Sequence, residues 1–219
     1  DGWYDDIANP LPVPWGHDTR AWWKDAMLVD GYNVDSHYTD TSLVSWGRDY
    51  LDDVGIDEAD AAIVALHGSL SSNRWTGSVR VDETGSGNCS TWQGHMEFDY
   101  DLEFLVLSSC YSMDEASWWL WNSSFKRIRQ IDGFHGLMWI WSPYRSRYKD
   151  FSDDAFNYAI ANAWLDNLYI HDVDGPDSDQ CPCARGVGAS SSDLWNRMFT
   201  EQYDWIADSD PTPNVHGVV

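Results

Sequence analysis

AAIVAL at residues 61–66 is a continuous apolar run that stops at His67-Gly68, and LEFLVL at 102–107, apolar without interruption from Phe104, reads as a second buried strand that stops at Ser108-Ser109-Cys110. Short apolar runs without alternation mark strands buried on both faces, because neither side of such a strand meets water. GFHGLMWIW at 133–141 reads as a third strand, stopped by Pro143, which has no amide hydrogen to extend a ladder. From about 115 to 129, Trp118, Trp121, Phe125 and Ile128 fall on one helical stripe. Residues 151–169 read as the clearest helix, entered through Ser152-Asp153-Asp154 and carrying Phe156, Ala159, Ile160, Ala163 and Trp164 at three- and four-residue spacing. A short helix at 21–29, a last strand at 187–189 and a helix at 194–206 complete the pattern. Buried strands alternating with amphipathic helices predict an α/β domain, a three-layer αβα sandwich on a mostly parallel sheet.

The ends read differently. Pro10, Pro12 and Pro14 forbid helix in residues 1–20 and favour an extended N-terminal arm. Residues 208–219 (DSDPTPNVHGVV) read as an extended C-terminal arm, leaving 21–207 as one domain. Each arm is expected to be held by the domain's own surface or by a neighbouring copy, since free termini fray.

Composition narrows the classes. In 219 residues there are 15 Trp, 11 Tyr and 7 Phe, far too many for a disordered chain, and no apolar run has membrane-spanning length. The 36 acidic against 13 basic residues give a formal charge of −23, which excludes nucleic acid as a direct partner. Asp supplies 30 of the 36 acids and Arg 10 of the 13 bases. That charge strains the compact state at ordinary salt and is screened at molar salt, where the Debye length is about 3 Å. The composition resembles that of proteins from extreme halophiles. No leader stands before Asp1, and the expected location is extracellular or at the cell surface after removal of a signal segment. Asn88-Cys89-Ser90 and Asn122-Ser123-Ser124 would permit glycosylation there.

In an open α/β sheet, function gathers beyond the carboxyl ends of the strands. Two buried strands here end in reactive residues, His67-Gly68 after one and Cys110 after the other. An imidazole and a thiol on one rim form the minimal device for covalent catalysis, the imidazole helping to generate the thiolate. Gly68 removes side-chain bulk beside the His. Its amide, with that of Cys110, would serve as an oxyanion hole.

His-Gly after one hydrophobic strand and a small residue before Cys after the next resembles the caspase, gingipain and legumain group of cysteine peptidases. The 43 residues from His67 to Cys110 are similar to the roughly 50 of caspases. The chain also resembles a family of caspase-like fold in which a Gly-Phe-His strand (here Gly133-Phe134-His135) leads to a helix ending in Ala-Trp (here Ala163-Trp164). The resemblance spans about residues 61–168. It implies a caspase-like fold and a Cys110/His67 dyad acting on a peptide or protein substrate, by cleavage or transfer, with no required cofactor. Ser108-Ser109-Cys110-Tyr111-Ser112 differs from the caspase Gln-Ala-Cys-x-Gly in lacking a Gly after the thiol.

Other residues offer further readings. Cys89 bridged to Cys181 or Cys183 is the expected disulfide; with both it would alternatively offer three sulfurs to zinc. Asp172, Asp174, Asp177 and Asp179 alternate around Gly175, as oxygens offered to a calcium ion would, or as a solvated loop. His135, inside the third strand, reads as a packing residue. Trp22-Trp23, Trp118-Trp119-Leu120-Trp121 and Trp139-Ile140-Trp141 exceed what one core requires and point to subunit contact. A non-catalytic protein assembling into oligomers or filaments through its arms and aromatic surface is therefore the alternative to a peptidase.

Overall fold

The computed structural model describes residues 60–65, 67–80, 88–99, 101–139, 146–173, 175, 178–207 and 209–219. The expected N-terminal arm (1–20) and the helix at 21–29 lie outside the described residues. In chain order the strands are β1 (Ala61–Ala65), β2 (His67–Ser71), β3 (Arg74–Arg80), β4 (Asn88–Trp92), β5 (Phe104–Ser108), β6 (Gln130–His135), β7 (Cys181–Gly188) and β8 (Val215–Val218). The helices are α1 (Ser146–Ala155), α2 (Ile160–Leu168) and α3 (Ser191–Met198).

The main sheet runs β1-β5-β6-β7-β8. β1, β5 and β6 are parallel, β7 is antiparallel to β6, and β8 is antiparallel to β7. The sheet is thus mixed where a mostly parallel one was expected. The difference comes from β7, which enters beside β6 after α1 and α2 but runs opposite to it, so those helices make no parallel crossover. The apolar run at 61–66 supplies β1, with Ala62, Ile63, Val64 and Ala65 all buried, and β5 is buried throughout. Interior strands of this kind need no alternation because both faces are covered.

Those faces carry different covers. Ile63, Phe104, Val106 and Phe134 pack against Tyr148 and Phe151 of α1, Ile160 and Trp164 of α2, and Leu194 and Met198 of α3. Ala62, Val64, Leu105, Leu107 and Ile131 pack against Trp75, Met96, Phe98, Met113, Trp121 and Phe125. Among the described residues, then, the three α-helices cover one face, while irregular chain and a second sheet cover the other. That second sheet, β2-β3-β4, is antiparallel and opens with a two-residue turn at Ser72-Asn73, both at φ 54°. Positive φ at both central residues is what a type I′ hairpin requires.

Several elements depart from expectation. The helix expected at 151–169 is two helices, α1 and α2. The break occurs where Tyr203 N–H donates to Ala155 O and Ile160 N–H donates to Glu201 O, so a distant segment takes over bonds that a continuous helix would make internally. The stripe at 115–129 forms only a 3-10 turn at Trp118–Ser123. Beyond it Phe125 bridges to Phe98, and the Phe98 carbonyl accepts from Arg127 N–H. The strand expected at 133–141 runs from Gln130 to His135 instead. The 194–206 helix is shorter and earlier, capped by Ser190 Oγ on Asp193 N–H (3.2 Å).

The C-terminal residues are extended, and they dock on this chain's own sheet. β8 pairs with β7 from Arg185↔Val218 to Gly188↔Val215. The preceding chain is clamped by buried arginines: Arg129 Nη1 and Arg197 Nη1 both donate to Ser209 O (3.3 and 3.0 Å) and both reach Glu201 Oε1 (2.9 and 3.1 Å).

Candidate active site

β1 and β5 are in register from Ala61↔Phe104 to Ala65↔Ser108. His67 and Cys110 each follow their pair by two residues, so the register brings both to the carboxyl end of the sheet. The contact is closest at Gly68. A Cβ there would lie 1.9 Å from the Cys110 carbonyl oxygen, 2.4 Å from Ser109 Oγ and 2.7 Å from Trp75 Nε1. Only glycine lets the two chains approach this closely. Gly68 itself lies in β2, opposite Gly77 of β3, so β1 passes through His67 directly into the second sheet. Trp75 Nε1 donates to Ser109 Oγ (3.2 Å), tying that sheet to the Cys110 turn.

The turn after β5 is stitched to β6. Tyr111 sits at φ 59°, and its N–H donates to Gly136 O at 2.5 Å. Ser112 Oγ accepts from Phe134 N–H (3.0 Å) and donates to Ser109 O (2.8 Å). Met113 N–H donates to Phe134 O (2.9 Å), and Trp121 Nε1 donates to Ser112 O (2.8 Å). A left-handed residue directly after the Cys costs roughly 1–3 kcal/mol, and these bonds offset that strain.

Cys110 is partly buried. Its Sγ accepts from Met138 N–H (3.4 Å) and donates to Met138 O (3.5 Å). Burial raises its pKa above the ordinary thiol value, with the Met138 amide and its own amide working in the opposite sense. His67 is exposed at its outer edge, yet partial desolvation lowers its pKa. Both shifts favour the neutral forms, a thiol and an unprotonated imidazole. Beneath them, Tyr148 OH and Ser108 Oγ are hydrogen-bonded at 2.7 Å in the buried floor.

His135 belongs to this rim as well. Because β6 ends at residue 135, the imidazole is half exposed at the strand's end, where a strand continuing to 141 would have placed it mid-ladder. Its Nδ1 lies 3.4 Å from Asp114 Oδ2, while Asp114 Oδ1 accepts from Ala116 N–H (3.0 Å). The signal that would have found it is Gly136, at φ 79°, which ends the strand.

The expected disulfide is overturned. Cys181 and Cys183 are free thiols, as is Cys110, so Cys89 is bridged to neither. Cys89 pairs with Val79 in the β2-β3-β4 sheet, whereas Cys181 and Cys183 pair with His135 and Gly133 in the main sheet. Burial pushes the Cys183 thiol up to about 11.

Of the calcium candidates, Asp174 and Asp177 lie outside the described residues. Asp172 and Asp179 do meet, joined by His171, with ligand atoms within 4.8 Å of one another. The group is closed by its own hydrogen bonds. Asp179 Oδ1 accepts from Asp172 N–H (2.9 Å) and faces His171 Nδ1 (2.8 Å), while Oδ2 accepts from Tyr169 OH (2.7 Å). Those donors, the Asp172 amide foremost, bring the Asp179 pKa down to about 2, and the Asp179 bond raises that of His171. No helix among the described residues is long and apolar enough to cross a membrane.

Fold and rim together define an α/β protein with a mixed five-stranded sheet and a Cys–His edge. Residues 12–216 match the family described as "Domain of unknown function (DUF6345)", and the chain belongs to that family. No curated protein matches the chain.

Proposed function

We propose that this is an exported cysteine peptidase-like protein on a caspase-like sandwich, with Cys110 as nucleophile and His67 as its base. The observation that supports the reading is the β1–β5 register with Gly68 against the Cys110 carbonyl, since His67 and Cys110 each follow one of two adjacent parallel strands by two residues. His67 would take the thiol proton while sulfur bonds to the substrate carbonyl carbon. The oxyanion would face the Gly68 and Cys110 amides, and the proton would pass to the leaving amine as the peptide bond breaks. Water or a second amine would then release the acyl group, giving cleavage or transfer.

The test is labelling with a thiol-reactive peptide electrophile, followed by mass mapping. Cys110 is expected to react ahead of Cys181 and Cys183, and His67→Ala to slow it by about a hundredfold or more. A Cys110 that reacts only after denaturation sinks the reading.

A specific observation favours self-assembly as the second reading. Among the described residues β8 ends the sheet order, with no further strand on its outer side. Beside it Trp195 and Phe199 stack at 5.9 Å, both substantially exposed. Particle size at high and low salt separates the two: growth without labelling favours assembly, labelling of a monomer favours the peptidase.

A further inference from the structure

Among the described residues three arginines are buried almost completely: Arg129, Arg185 and Arg197. Two follow the rule that a buried charge is paired. Arg129 and Arg197 share the Glu201 carboxylate and reach Glu103, Asp193 and Asp210 besides. Arg185 breaks it. It is 4% exposed, and among the described residues no carboxylate meets it. Its guanidinium donates through Nη2 to Asn122 Oδ1 and lies 5.6 Å from the Phe125 ring. Nε and Nη1 are buried without any acceptor.

A second orphan lies beside it. Arg185 is opposite Val218 and Val187 is opposite His216 in the β7–β8 ladder, which puts Arg185 and His216 on one face of the sheet. The Phe125 ring contacts both, meeting His216 edge-on at 5.5 Å. His216 Nδ1 is buried with no partner, and burial, followed by the arginine's charge, lowers the pKa of the imidazole. Two nitrogens of a cation and one of an imidazole thus share the region between β7, β8 and the Phe125 segment, and no carboxylate of the described residues pairs with them.

We propose that this space is a binding site for a small monovalent anion, chloride in solution, held by Arg185 Nε and Nη1 with His216 Nδ1–H as a further donor. A monatomic ion suits the site because the nitrogens are shut off from solvent by close-packed chain, where a phosphate or peptide carboxylate would need a mouth. The abundance of acid elsewhere sharpens the point: the fold neutralises its other buried arginines with its own carboxylates and leaves this one to the solvent's anion. Binding would tie β8, and with it the C-terminal segment, to the sheet.

The experiment is thermal unfolding of the whole chain at constant ionic strength while sodium chloride replaces sodium gluconate, so that screening is unchanged. With chloride about a hundredfold above its dissociation constant, the midpoint is expected to rise by roughly 5–10 °C and to saturate. In Arg185→Met, which replaces a charge by an apolar side chain of similar length, the chloride-specific rise is expected to vanish. Equal midpoints in chloride and gluconate for the unsubstituted chain would overturn the proposal, as would an undiminished rise in the variant. Anomalous scattering from bromide-soaked crystals of the unsubstituted chain is independent of whether the variant folds. A bromide within about 3.5 Å of the guanidinium supports the site, and none there at saturating bromide refutes it.

Discussion

The carboxyl-end rim of β1, β5 and β6 and the clamp around Glu201 hold distant chain together by opposite means. At the rim, beside the His135–Asp114 contact, what joins the chain is neutral and of backbone size: Gly68 against the Cys110 carbonyl, Ser112 Oγ between Ser109 and Phe134, and Tyr148 on Ser108. At the clamp, formal charges leave water and meet one another, with Arg129, Arg197 and Glu201 all buried. Breaking a buried ion pair leaves an uncompensated charge. Disturbing a neutral contact costs only the contact and the strain it relieves. The clamp is therefore the more brittle region, and the rim the more easily tuned.

Glu201→Ala would break this comparison most severely. It strips the shared carboxylate from two buried guanidiniums and removes the oxygen that accepts from Ala207 N–H, and a loss of about 3–5 kcal/mol in urea unfolding is expected. A loss under about 1 kcal/mol would mean that water already reaches the cluster.

Gly68→Ala comes next. With 1.9 Å to a backbone oxygen the new methyl cannot be accommodated by a rotamer change, so β2 and the Cys110 turn must part. About 3 kcal/mol of destabilisation is expected, together with faster alkylation of Cys110 in the native protein. An alanine variant with unchanged stability and unchanged thiol reactivity would remove the contact on which the rim rests.

A smaller, pH-dependent effect is expected at Asp132, fully buried in β6 with one oxygen accepting from Gln130 Nε2 (2.7 Å) and the other unpartnered. Desolvation holds its folded pKa well above the ordinary carboxyl value of 3.8. Below that value both folded and unfolded forms are protonated and the group contributes nothing. Above it the unfolded chain ionises first, so stability falls as pH rises until the folded pKa is passed. Asp132→Asn should therefore gain on the unsubstituted chain by roughly 1.4 kcal/mol per pH unit through that window, measured by urea unfolding from pH 4 upward. A pH-independent difference would show the carboxyl ionised in the fold.

Smallest is a local titration. Asp179→Asn removes the bond that raises the His171 pKa, and the imidazole should titrate at lower pH by NMR while global stability is unchanged. An unmoved titration would show that loop open in solution.

How much of this was legible beforehand varies by element. β1 and β5 announced themselves, since strands covered on both faces must be apolar at every position, and with them came His67 and Cys110 at one rim. His135 was misplaced because GFHGLMWIW remains apolar past the point where Gly136 ends the strand. One continuous helix at 151–169 was a fair reading of local spacing; the bonds from the 201–203 segment that divide it are invisible to periodicity. The disulfide failed for a similar reason: counting thiols says nothing of which sheet each strand joins.

What the sequence determined by itself was what is encoded by nearest neighbours: buried strands, the residues at their ends, the acidic balance and the extended character of the C-terminal stretch. Tertiary structure alone decided which strands lie side by side, that β7 and β8 close the sheet antiparallel, and which buried charges find partners. The reason is one of range. Apolar runs and helical stripes act over a few residues, whereas register and charge pairing join positions far apart in the chain, such as Arg129 and Glu201, that only the finished fold brings within reach.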